Sequence, residues 1–141
     1  MAAQKNSSFL LLSLLLLLSS TSVSFAQTGI ASFTSSPYSK QSCTDKVPKI
    51  KMFTGLNETL YGNGDICGTN YIVTCIGAVD PQQTSPCRRT KTVTVTVTDS
   101  CTVEADGKPC STFVLSAEAF AQIARPQAGL AKVAYKLVSS S

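Results

Sequence analysis

Six cysteines, Cys43, Cys67, Cys75, Cys87, Cys101 and Cys110, narrow the choices open to this 141-residue chain more than any other feature. An even number of cysteines behind an export-type leader reads as a disulfide framework. No pair has Cys-x-x-Cys spacing, so a zinc knuckle or dithiol redox centre is not expected, and a thiolate metal site is the weaker alternative. Cys75 and Cys87 bracket the turn-rich AVDPQQTSP segment, and Cys101 and Cys110 bracket TVEADGKP. Local stapling of both loops leaves Cys43 to pair with Cys67. Three bridges, Cys43–Cys67, Cys75–Cys87 and Cys101–Cys110, are therefore expected, each contributing about 2–4 kcal/mol.

The leader explains how such bridges can form. Phe9 to Leu18 reads FLLLSLLLLL behind Lys5 and runs into the small, polar stretch Ser19 to Ala26. That apolar run is about half of what a membrane-spanning helix requires. Ser24-Phe25-Ala26 has the small-x-small form of a signal-peptidase site, so cleavage is expected before Gln27. The reading is a signal peptide over 1–26, one domain over 27–141, no membrane span and a secreted, extracellular product. The sequon Asn57-Glu58-Thr59 is flanked by Gly55 and Gly62 and marks Asn57 as a candidate glycosylation site on an exposed loop.

The chain has no histidine, which removes Ser-His-Asp and Cys-His catalysis and histidine-ligated metals. No cofactor or metal is expected. Net charge is only +4. The densest basic cluster, Arg88, Arg89 and Lys91, lacks interleaved aromatics, so nucleic acid is not an expected partner.

Period-two alternation is strongest in KTVTVTVTD, Lys91 to Asp99, with Val93, Val95 and Val97 on one face and threonines on the other. Strands are also expected at Tyr71 to Ile76, at Ala131 to Val138 with Val133, Tyr135 and Leu137 facing together, and more weakly at Gly29 to Thr34. Ala117 to Ala124 reads as a helix, with Ser116 as N-cap, Glu118 in the first turn and Phe120, Ile123 and Ala124 on one face. Arg125-Pro126 ends it. Short strands with one short helix predict a mainly β barrel or sandwich.

Four stretches together resemble the plant natriuretic peptide family: GIASF from Gly29, YGNGDICGTNY from Tyr61 to Tyr71, VTDSC from Val97, and LSAEAF from Leu115 followed by Ile123-Ala124. That family is similar to the expansin N-terminal domain, barwin-type defence proteins and family-45 endoglucanases. The resemblance implies a six-stranded double-psi β-barrel with one short helix, stapled by disulfides. Periodicity alone does not choose this barrel over a sandwich.

The resemblance also sets expectations for chemistry. Inverting hydrolysis needs an acid and a base carboxyl about 6.5–9.5 Å apart. Asp99 matches the aspartate ending the central strand of these relatives. Where they carry His-Phe-Asp, this chain reads Thr112-Phe113-Val114, so the second carboxylate is Val114. The first acidic residue after the leader is Asp45, beyond Cys43, and the chain is not expected to be an enzyme. Asp99 is read either as a strand-end hydrogen-bond acceptor of the Asx-turn kind or as a ligand contact, with Thr98 sharing that ambiguity. Tyr61 stands where the family commonly has Trp before Gly-Asn-Gly and, with Tyr71 and the nearby Tyr38, is a candidate sugar-stacking residue; a core lid is the equal alternative. A possible ligand groove thus comprises Asp99, Thr98, Tyr61 and Tyr71.

Expansins carry a second, sugar-binding domain, and here Ser141 follows directly on the last expected strand, so a full expansin is not expected. The function implied first is a secreted, non-catalytic regulator of water and solute homeostasis with a cell-surface receptor as partner. The alternative is a cell-wall polysaccharide-binding or barwin-like defence module. By resemblance the signalling part maps onto Pro37 to Tyr71, with Lys46, Lys49, Lys51 and Asn63 in a possible signalling loop. Lysines on a loop are otherwise ordinary solubilising groups.

Overall fold

A computed structural model describes residues 27–138; the expected leader, 1–26, lies outside the described residues, as do 139–141. Among the described residues there are six strands: β1 (Gln27–Thr34), β2 (Phe53–Asn57), β3 (Asn70–Gly77), β4 (Thr92–Cys101), β5 (Phe113–Ser116) and β6 (Ala131–Leu137). They close a barrel in the order β1-β5-β2-β4-β3-β6, and β6 pairs back onto β1. The β1–β5 and β2–β4 pairs are parallel and the other four antiparallel.

Strands read from alternation are present. Val93, Val95 and Val97 of β4 point into the core with Val73 and Cys75 of β3 and Val133 of β6. Leu137 differs from expectation: it is 49% exposed, because the inward series of β6 ends at Tyr135. Alternation did not reveal β2 and β5. The β1–β2 connection covers their outer side, Tyr38 on Phe53 and the Lys51 carbonyl on Ser116, and Phe53, Thr54, Gly55, Leu56, Phe113, Leu115 and Ser116 are all buried. A strand buried on both faces shows no polar beat.

The helix expected at 117–124 is α1 (Ala117–Ile123). The Ser116 hydroxyl accepts from the Ala119 amide at 3.2 Å and donates to the Lys51 carbonyl at 2.6 Å, so the cap also ties the β1–β2 connection to the barrel. Phe120, Ile123 and Ala124 are fully buried. A single helical turn, Glu58–Tyr61, follows β2, and its N-cap is Asn57, whose side chain accepts from Leu60 N at 3.0 Å. The sequon asparagine thus stands at the start of a turn, half-buried. The following Gly62 and Gly64 have positive φ, which a glycine tolerates without strain.

The three disulfides pair as expected, Cys43–Cys67, Cys75–Cys87 and Cys101–Cys110, and none of the described cysteines is free. At the centre, Phe113 meets Tyr135 and Tyr71 edge-on, with ring centroids 4.8 Å and 5.3 Å apart. Tyr71 is 6% exposed.

Candidate functional site

One register irregularity builds the site. Along the parallel β2–β4 pair, Thr54 stands opposite Val97 but Gly55 opposite Asp99, leaving Thr98 as an extra residue. Such a bulge re-aims the side chains that follow it. Thr98 is buried beneath the β1–β2 connection, where its hydroxyl donates to Gln41 Oε1 at 2.9 Å. Asp99 is turned outward and lines a groove of about 820 Å³. Gly55 pairs on its other side with Val114, which lines the same groove. A Cβ placed on Gly55 would lie 3.6 Å from Asp99 Cβ and 3.9 Å from Val114 Cβ. The glycine therefore separates Asp99 from Val114, so an isopropyl group stands where the resemblance implies a second carboxylate.

Asp99 is held as an acceptor, though not by its chain neighbours. Its Oδ1 accepts from the Ser42 amide at 2.8 Å and the Ser42 hydroxyl at 2.7 Å; the same hydroxyl accepts from Ser100 N at 2.9 Å. The partner comes from the long β1–β2 connection rather than from an Asx turn. That connection is also fixed by Cys43 N donating to the Thr98 carbonyl at 3.0 Å and by the Cys43–Cys67 bridge. It forms one wall of the groove.

Tyr38 supplies that wall's aromatic face. It packs edge-on against Phe53 with centroids 4.8 Å apart, its hydroxyl donates to Glu118, and it accepts from the Ala117 amide at 3.1 Å. Burial and the bond to Glu118 push the phenol above its ordinary range. The bond from Tyr38 in turn holds the Glu118 carboxyl below the usual carboxylate range. Both groups stay in the protonation states that make this bond across the neutral region. The opposite wall is the β4–β5 loop, with Glu104, Asp106 and Lys108. Ser32 of β1, a buried groove-lining hydroxyl, donates to Glu104.

Of the four groove residues expected from sequence, only Asp99 lines the groove. Thr98 is buried behind it. Tyr61 is half-buried with its hydroxyl 3.4 Å from Cys67 Sγ, packed on the Cys43–Cys67 bridge. Tyr71 belongs to the aromatic core. Tyr38, Ser32, Ser42 and Glu104 complete the site, and only Tyr38 carried any sequence signal, as an aromatic near the others. Lys46 and Lys49 line a second depression of about 530 Å³, floored by Cys43, Cys67 and Thr96 to Thr98. Lys51 is exposed outside it, and Asn63 lies in the separate Gly62–Gly64 turn, its Oδ1 accepting from Asp65 N at 3.4 Å.

A closed barrel with two parallel strand pairs, a stapled loop on one side and an open groove across it defines a double-psi β-barrel of the expansin and endoglucanase kind. The double-psi family described as lytic transglycolase matches residues 54–135. An EG45-like domain containing protein of Citrus jambhiri is 31% identical over 115 residues, covering 82% of this chain and 84% of the relative. Putative EG45-like domain containing protein 1 of Arabidopsis thaliana is 37% identical over 115 residues, covering 81% and 85%. The chain belongs to this EG45-like family. Among solved structures, a variant of the Clavibacter michiganensis expansin in complex with cellohexaose superposes with a TM-score of 0.59 at 25% identity, over 82% of this chain. The chain spans about half the length of that expansin, 52%.

Proposed function

We propose that the protein is a secreted, non-hydrolytic cell-wall module that holds a polysaccharide chain along the Asp99 groove. The observation that carries this reading is the groove itself: an open trough with a fixed carboxylate at its centre and Tyr38 on one wall. Asp99 Oδ1 is occupied by Ser42, which leaves Oδ2 to accept a sugar hydroxyl. A similar barrel in the expansin complex with cellohexaose supports an extended glucan as ligand. Hydrolysis is not part of the proposal. Val114, facing Asp99 across Gly55, is where the relatives' second carboxylate is expected, and it offers no proton to a leaving group.

Retention on amorphous cellulose, xylan and chitin, with reducing-sugar release measured in parallel, tests it. Saturable retention is expected, falling about tenfold in Tyr38→Ala and in Asp99→Ala, because each removes a contact of about 1–2 kcal/mol. No sugar release above a heat-inactivated control is expected. Unchanged retention in both variants would place the ligand elsewhere, and turnover abolished by Asp99→Asn would overturn the two-carboxylate argument.

A second reading is signalling through a cell-surface receptor in water and solute homeostasis. What favours it is the second depression, where Lys46 and Lys49 stand beside Val47 and Ile50, 51% and 48% exposed, with no carboxylate in its lining. A cationic rim around exposed aliphatic side chains suits a protein partner better than a sugar.

A further inference from the structure

We infer that Glu104 sets the charge selectivity of the groove, so that it accepts neutral and amine-bearing glycan chains and rejects uronate chains; this rests on the polysaccharide-binding reading above.

Glu104 is not a loose surface acid. Its amide donates to the Lys108 carbonyl at 2.9 Å, and its carbonyl accepts from Gly107 N at 2.9 Å. Val103 and Pro109 form an isolated antiparallel bridge across the same loop, and Cys101–Cys110 closes its base. The loop is thus a small self-bonded hairpin rather than a free tether. Within it Glu104 is half-buried while Val103, Ala105 and Asp106 are exposed. Its Oε1 takes the hydroxyl of Ser32, itself 6% exposed on β1. That contact fixes the carboxylate on the groove wall.

The donor that fixes it is a neutral hydroxyl, so the bond orients the carboxylate without cancelling its charge. Its second oxygen remains an acceptor. A sugar hydroxyl satisfies that acceptor, an ammonium group satisfies it with a charge-assisted bond, and a uronate offers only like charge. Asp99 adds a second negative charge on the groove floor and Asp106 a third on the same loop, and a cleft between low-dielectric walls concentrates such a field. Lys108, on the loop's far limb, is the groove's only cation among the described residues.

Titration calorimetry of the intact protein with three probes, the β-1,4-linked glucosamine hexamer, cellohexaose and a galacturonate hexamer, provides the test. At low ionic strength the glucosamine hexamer is expected to bind about fivefold tighter than cellohexaose, the size of one charge pair near a wet surface. The galacturonate hexamer is expected to bind at least about tenfold weaker than cellohexaose, with both gaps narrowing at high salt. Glu104→Gln keeps shape and hydrogen-bonding capacity while removing the charge, and is expected to narrow both gaps, with Asp99 and Asp106 accounting for the remainder. Asp80→Asn, an equal change of charge outside the groove, is expected to leave the ratios as they are. Ratios unchanged in Glu104→Gln, or galacturonate binding as well as cellohexaose, would overturn the inference. Glucosamine binding without cellohexaose binding would overturn the neutral-glucan reading and leave Glu104 in its role. Binding of none of the three would overturn both.

Discussion

Phe113→Ala is expected to lower the unfolding free energy by about 3–5 kcal/mol, the range for truncating a fully buried aromatic. Phe113 has no exposed surface and touches both other rings of the central cluster, Tyr71 and Tyr135. On β5 it is also opposite Ala31 of β1 and Leu56 of β2, so the cavity would open where three strands converge. Two of those strands are clamped from outside by α1 and the long β1–β2 connection, which limits collapse into the void. Small domains have only about 5–15 kcal/mol in total, so the variant should unfold at markedly lower urea concentration. A loss under about 1 kcal/mol in a denaturant titration would mean that the aromatic cluster is not the centre of the core.

Replacing Cys43 and Cys67 together by alanine is expected to cost about 3–4 kcal/mol by the loop-entropy relation for a bridge of this span. The two cysteines are 24 residues apart, the widest of the three separations. The loss should also reach the groove. Ser42, the residue that holds Asp99, is the immediate neighbour of Cys43, and Tyr61 leans on the bridge. Cellulose retention should therefore fall by about tenfold in conditions where the double variant remains folded, as loss of one charge-assisted bond predicts. The Cys75→Ala, Cys87→Ala variant should lose stability and keep retention, because that bridge lies at the β3 end and lines neither depression. Equal loss of retention in both double variants would mean that the Cys43 side of the groove is not specifically held by its bridge.

The sequence made the outer framework legible and hid its middle. β4 was visible because its valines face the core and Thr92 and Thr94 face solvent. β2 and β5 are covered on their outer side by the β1–β2 connection, so Phe53 to Leu56 and Phe113 to Ser116 carry no contrast to read. The disulfide pairing was legible because two of the loops are short and turn-rich. At the site, Asp99 was legible through its match to the strand-ending aspartate of the resembled family, but the bulge that separates Thr98 from Asp99 has no signature in KTVTVTVTD. Tyr61 and Tyr71 were grouped by nearness in sequence, whereas the barrel sends one to a disulfide and the other to the core. Glu104, Ser32 and Ser42 are ordinary residues in ordinary surroundings, 72 and 57 positions from the partners that give them meaning.

The strand order bears on how this chain reaches its native state. β1 pairs with β5 and β6 alone, so the first strand waits without a neighbour until Phe113–Ser116 and Ala131–Leu137 have left the ribosome. Until then only β3 and β4 can form a hairpin, with parallel β2 joining at its edge. Pairings this distant in sequence carry a large loop-closure cost and place such barrels among slower folders. A partly emerged chain exposes unpaired strand edges that invite association with other copies. Closure by β6 removes every edge at once, which makes arrival of the last strand the step that converts a vulnerable nascent chain into a protected one.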